Sequence, residues 1–179
     1  MIDPLTFRRW FYRLLLVLLA AGITFIRMLP LSTLPAALPG PDLLLALVFA
    51  WVLRRPEYVP AALVALIFFL TDMLMQAPPG LRAGLVVMGL EFLRVRASGA
   101  QDRSFLMEWG LVAMVMAAIL LGERLVLAVF LVEQVSFGKE VLRLLMSVAL
   151  YPLVVAVSVF VLGVRRVMPG EADALRQGL

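Results

Sequence analysis

Neither cysteine nor histidine occurs anywhere in the 179 residues. The first absence excludes disulfides and thiolate nucleophiles. The second excludes imidazole bases, and together they remove the commonest zinc and haem ligands. Charge is scarce too, with Asp, Glu, Lys and Arg making up 16% of the chain. Hydrocarbon fills the space these residues leave. The hydrophobic fraction is 64% and the mean hydropathy is +1.05, far from the composition of a water-soluble domain. Crossing a bilayer core of about 30 Å takes about 20 helical residues, so a chain of this length divides into about six spans with short loops. The sequence therefore predicts an all-α, polytopic membrane helical bundle over 1–179, one membrane domain with no room for a separate soluble one.

Turn residues divide the apolar mass. A first span is expected over 10–29, preceded by Arg8 and Arg9. It resembles a cleaved signal, but no A-x-A site closes it and apolar segments continue to the end of the sequence. The stretch 30–41 holds four prolines and a glycine and reads as a loop. Pro41-Asp42 then opens a second span over 42–53, because proline suits a first helical turn and a carboxylate complements the helix N-terminus. Further spans are expected over 59–75, 81–93, 105–121 and 141–164. The run 125–132 follows an interruption at Gly122-Glu123-Arg124 and has three readings: a seventh span, a kinked extension of the fifth, or an interfacial segment. The second and fourth spans are short for a bilayer and need their flanks, a tilt or local thinning.

Basic residues orient the bundle. With six spans and a cytoplasmic N-terminus, only Arg27, Arg82, Arg124, Lys139 and Arg143 of the 16 basic residues fall away from the cytoplasmic side. Trp10, Tyr12, Trp51, Tyr58 and Trp109 fall at the same ends, as aromatic belts do. Both termini are thus expected in the cytoplasm. The net charge of +4 comes almost wholly from arginine, and in so apolar a chain it sets topology and gives no ground for a nucleic-acid partner.

Charges at membrane depth are the informative residues, because each is expensive in hydrocarbon and faces protein or a polar cavity. They are Arg27, Asp42, Asp72, Glu91, Glu123, Arg124 and Glu133. Asp42, Asp72 and Arg82 gather towards the outer side, with Glu91 and Glu108 towards the inner. Asp72 is expected either to cap or pair at the interface, with Arg82 or Arg27, or to contact a partner helix or cavity. Glu91 is expected to pair with Arg94 or Arg96, and Glu123 with Arg124. Small residues at spacing four, such as Ala46 with Ala50 and Ala118 with Gly122, permit close helix approach.

No catalytic set emerges. Ser136 lies too near Lys139 in a loop to be a serine with a lysine base, and Asp72 and Glu91 fall near opposite ends of the bundle. The expectation is a protein that is not an enzyme and has no cofactor or metal.

Several segments, in this order, resemble the rod-shape-determining MreD family in its alphaproteobacterial form. They are Pro41-Asp42-Leu43-Leu44-Leu45-Ala46, then Ala50-Trp51-Val52-Leu53-Arg54-Arg55-Pro56-Glu57-Tyr58-Val59-Pro60, and Leu70-Thr71-Asp72 with Pro78-Pro79-Gly80-Leu81. Glu91-Phe92-Leu93-Arg94, Glu108-Trp109, Tyr151-Pro152 and Gly163-Val164-Arg165-Arg166 with Pro169-Gly170-Glu171 complete the set. Pro41, Asp42, Asp72 and Gly80 stand at the family's recurring positions.

The resemblance implies a non-enzymatic scaffold of the cell-elongation machinery in the bacterial inner membrane. Such a scaffold binds MreC, works with MreB, RodA and a class B penicillin-binding protein, and helps to direct lateral peptidoglycan synthesis. It also implies an arrangement similar to the substrate-binding components of vitamin transporters. The alternative is a small-molecule-binding membrane subunit or carrier, with Asp42, Asp72 and Arg82 lining an outward cavity. Pro41, Asp42, Asp72, Gly80, Arg82, Glu91 and Arg124 are the candidate structural or partner-contact residues under either reading.

Overall fold

The computed structural model describes residues 4–29, 40–97, 104–132 and 134–164. Most of the proline-rich stretch 30–41 and most of the linker before 104 lie outside the described residues. So do Arg103, Glu133, Arg165, Arg166, Arg176 and the segment Pro169-Gly170-Glu171.

Among the described residues the fold is all-helical. Its helices are α1 (Pro4–Met28), α2 (Leu43–Val52), α3 (Ala61–Leu74), α4 (Leu81–Ala97), α5 (Phe105–Val129) and α6 (Phe137–Phe160), with one 3₁₀ turn at Pro56–Tyr58. Three stretches are long and apolar enough to cross a membrane: Thr6–Met28, Phe105–Val129 and Phe137–Phe160. Polarity is inverted relative to a water-soluble bundle. Asp42, Arg54, Arg55, Asp72 and Glu108 are buried, whereas Phe7, Leu18, Phe25, Leu106, Leu125 and Phe160 stand exposed. Buried charges inside an apolar exterior are what a helical membrane bundle presents to lipid.

The helices run alternately up and down. Arg27 near the end of α1 meets Asp42 at the start of α2, and Asp72 near the end of α3 meets the Ala83 N–H at the start of α4. The Tyr12 hydroxyl near the start of α1 donates to the Leu162 carbonyl just past α6 at 3.1 Å. The beginning of α1 and the end of α6 therefore share one end of the bundle.

At the centre is α2, which is apolar on every side and buried from Leu44 through Val52. It packs mainly on α6, then on α4 and α1. Its 10 residues rise about 15 Å, half a bilayer core. Longer neighbours enclose it, so its length is matched to protein and not to lipid.

The helices differ from the sequence expectation in instructive ways. α5 passes through Gly122-Glu123-Arg124 without a break and ends at Val129, so 125–132 is mostly its continuation. A single glycine costs a helix interior about 1 kcal/mol, and Glu and Arg are good helix formers. Leu131 then takes a positive φ of 53°, and the Val132 N–H closes the end by bonding the Leu127 carbonyl at 3.1 Å. α4 runs past Leu93 to Ala97, because Arg94 and Arg96 favour a helix C-terminus. α6 tolerates Pro152, whose ring removes the bond to the Val148 carbonyl; the Trp109 indole donates to that oxygen at 2.8 Å. Trp109 is thus a repair inside the bundle as well as a ring at its end.

Among the described glycines, Gly89 stands where the helices approach most tightly. A Cβ on Gly89 of α4 would lie 2.8 Å from Val115 Cγ1, 3.2 Å from Ile119 Cδ1 and 3.4 Å from Phe49 Cζ. Gly89→Leu is therefore expected to force α4 from α5 and α2 and to destabilise the protein by about 2 to 3 kcal/mol. Gly110→Leu meets open space and is expected to be neutral. Thermal melting of the two variants in detergent checks the contrast.

Candidate functional site

The buried charges sort into two layers, one at each end of α2. At its C-terminal end the chain turns at Arg54-Arg55-Pro56, which places the Arg54 guanidinium inside the bundle. Arg54 Nη1 donates to Glu108 Oε1 at 2.8 Å and to the Ala50 carbonyl at 2.9 Å. The Tyr151 hydroxyl donates to the same Glu108 oxygen at 2.6 Å. This Arg54–Glu108 pair is nearly sealed, with side-chain exposures of 5% and 3%. Nearby the Trp51 indole donates to Ser158 Oγ at 3.2 Å, and Tyr12 stacks on Tyr58 with centroids 4.4 Å apart. Burial raises the Tyr58 phenol above its usual value, so the ring stays neutral beside Arg55. The layer joins α1, α2, α5 and α6.

At the N-terminal end, Asp42 caps α2 through its carboxylate, which accepts from the Leu45 N–H at 3.3 Å. Its own backbone N–H donates to Ser147 Oγ of α6 at 2.7 Å. Three guanidinium groups from three helices converge on this one carboxylate: Arg27 at 3.5 Å, Arg143 at 3.4 Å, and Arg82. Pro41 precedes it in the turn, its carbonyl accepting from the Leu43 N–H at 3.1 Å.

The other sequence candidates occupy neighbouring places. Asp72 pairs with neither Arg82 nor Arg27. It accepts the Ala83 N–H at 3.3 Å, and so holds the first turn of α4 to the end of α3. The donors of a new helix lie closer to it than any guanidinium, because Arg82 turns to Asp42. Gly80 takes a φ of +86°, a conformation that favours glycine at the turn between α3 and α4. Arg124 pairs across to Glu140 of α6 at 2.5 Å and not with its neighbour Glu123, since adjacent side chains diverge around a helix. Glu91 pairs with Arg94 at 2.7 Å, as expected; its side chain is 45% exposed, so this pair is not a deep site.

A cavity of about 100 Å³ opens beside the N-terminal layer. Asp42, Arg82, Glu123, Arg124, Glu140 and Arg143 supply its charged lining. Leu45 of α2, several apolar residues of α5 and Leu144 of α6 form the remaining wall. Asp42, Arg82 and Arg124 are thus brought together, while Asp72, Gly80 and Glu91 stand outside the lining.

Sequence reasoning missed Arg143, Glu140 and Ser147 as partners of Asp42 and Arg124, and Arg54 and Tyr151 as partners of Glu108. Arg143 and Ser147 stand one helical turn apart on α6, a spacing that hints at one face but names no target. Tyr151 carried a clearer signal, a phenol inside an apolar helix that must find an acceptor. Among the described residues no three acidic side chains gather as metal ligands would. No protein-family model, curated protein or solved structure matches the chain.

Proposed function

We propose that the chain is a non-enzymatic scaffold of the cell-elongation machinery, of the MreD type, seated in the bacterial inner membrane with both termini in the cytoplasm. One observation carries the reading. Asp42, Arg54, Glu108, Trp109 and Tyr151, drawn from motifs far apart in sequence that resemble MreD, meet at the two ends of α2 and at the Pro152 repair. That residues of these motifs make the buried polar contacts of the bundle supports the reading. The orientation rests on the bias of basic residues, and the Tyr12 to Leu162 bond agrees with termini on one side.

Such a scaffold recognises partners chiefly through its lipid-facing surface. A shallow apolar groove between α3 and α4 is lined by Ala65, Leu66, Phe69, Ala83, Gly84 and Val87. Its small residues allow another helix to approach closely, and a Cβ on Gly84 would meet nothing within 4 Å. The occupant proposed is the single transmembrane helix of MreC.

Photo-crosslinking in living cells tests this. A crosslinker at position 66 or 87 is expected to capture MreC, and Gly84→Phe is expected to abolish the capture while leaving protein levels unchanged. Depletion is expected to widen the cells. Normal width on depletion, together with no elongation protein crosslinked, would overturn the proposal.

A further inference from the structure

We infer that the cavity beside Asp42 is a binding site for a singly charged oxyanion, a phosphate or phosphate ester, held by Arg82 and Arg143.

The first argument is charge. Three guanidinium groups share the Asp42 carboxylate, Arg124 is matched by Glu140, and Glu123 completes the set. Within the lining Arg82, Arg124 and Arg143 are matched by Asp42, Glu123 and Glu140; Arg27, which joins Asp42 from outside the lining, is the fourth cation against three anions in this layer. A surplus cation inside an apolar bundle is costly unless an anion joins it.

The second argument is donor count. A guanidinium carries five N–H groups in a planar fork suited to two oxygens at once. Asp42 already accepts the Leu45 N–H and meets Arg27 and Arg143 at 3.4 to 3.5 Å through one nitrogen each. One carboxylate cannot saturate three forks. Arg82 and Arg143 line the cavity, and the tetrahedral oxygens of a phosphate would accept from the donors that Asp42 leaves over.

The third argument is the wall. Opposite the arginines the cavity is lined by Met116, Ile119, Leu120, Leu127 and Leu144. An anion that carries a hydrocarbon chain fits this division, and basic pockets between membrane helices hold lipid headgroups in this manner. The same phosphate chemistry is also available from a free ion. Glu123, which makes no ion pair among the described residues, offers an acceptor for a hydroxyl on the headgroup.

The experiment is native mass spectrometry and thermal melting of the full-length protein in detergent. The probes are phosphatidylglycerol, phosphate-free diacylglycerol and inorganic phosphate. The wild-type protein is expected to retain phosphatidylglycerol and to melt higher with it, and to ignore diacylglycerol. Arg143→Gln is expected to weaken that binding about tenfold or more, from the loss of a charge-assisted contact. Lys139→Gln, the same charge change on an exposed residue outside the lining, is expected to leave it intact.

Leu120→Trp fills the cavity without touching a charge. It is expected to reduce binding, which keeps the test valid if Arg143→Gln folds poorly. Inorganic phosphate that raises the melting temperature in an Arg143-dependent way would identify the source as a free ion at the same site. Equal retention of phosphatidylglycerol and diacylglycerol would overturn the inference. So would equal losses in Arg143→Gln and Lys139→Gln.

Discussion

Glu108→Ala is expected to destabilise the protein by about 3 to 5 kcal/mol, the usual effect of removing one member of a buried ion pair. The effect does not reflect a strongly stabilising bond. Bringing Arg54 and Glu108 out of water has a desolvation cost close to what their attraction returns. Once the carboxylate is gone, the Arg54 cation stays in a site where its side chain is only 5% exposed. The Tyr151 hydroxyl loses its acceptor as well. Unfolding by sodium dodecyl sulfate, followed by circular dichroism, measures the loss. Adding Arg54→Met to Glu108→Ala is expected to recover part of it, because the second change removes the stranded charge. Additive losses in the double variant would mean that the two groups do not depend on each other.

Asp42→Ala is expected to have a comparable effect for a different reason. The carboxylate is at once the cap of α2 and the shared counter-ion of Arg27, Arg82 and Arg143. Loss of the cap alone is worth about 1 kcal/mol, and like-charge repulsion among three guanidinium groups adds to it, for a total of about 3 kcal/mol or more. Asp42→Asn keeps a capping oxygen and removes the charge, so it is expected to fall between Ala and wild type. Arg143→Gln in the Asp42→Ala background is expected to restore stability. A double variant less stable than Asp42→Ala would show that Arg143 does not repel its neighbours. The same unfolding titration reads all three.

What the sequence disclosed about the fold followed from what hydrocarbon requires. Runs of Leu, Val and Ala separated by proline and glycine mark helices whatever their neighbours, so an all-helical bundle could be read directly. Helix ends were less legible. Gly122-Glu123-Arg124 resembles a break, but one glycine between good helix formers costs only about 1 kcal/mol, and the packing of α5 on α4 offsets it.

The candidate site was half legible. Asp42, Arg82 and Arg124 stood out because charge is conspicuous in an apolar chain, and the cavity does gather them. Their pairing could not be read, because an ion pair between residues 42 and 143 leaves no local pattern. Arg54 was hidden for another reason. Basic residues at span ends serve topology, and this one also folds back to Glu108, 54 residues away in sequence.

The enclosure of α2 bears on how the protein is made. At 10 residues it is too short to hold its place in a bilayer by its own hydrophobicity. Its main wall is α6, the last described helix to be synthesised. Ser147 and Ser158, which receive the Asp42 N–H and the Trp51 indole, arrive with that helix, as does Tyr151 for Glu108. The order of synthesis and the order of assembly therefore diverge: α2 leaves the ribosome well before α6 and yet is secured only once α6 arrives. Until α6 inserts, Asp42 lacks Arg143 and Ser147 and Glu108 lacks Tyr151, so both charged ends of α2 stay incompletely covered.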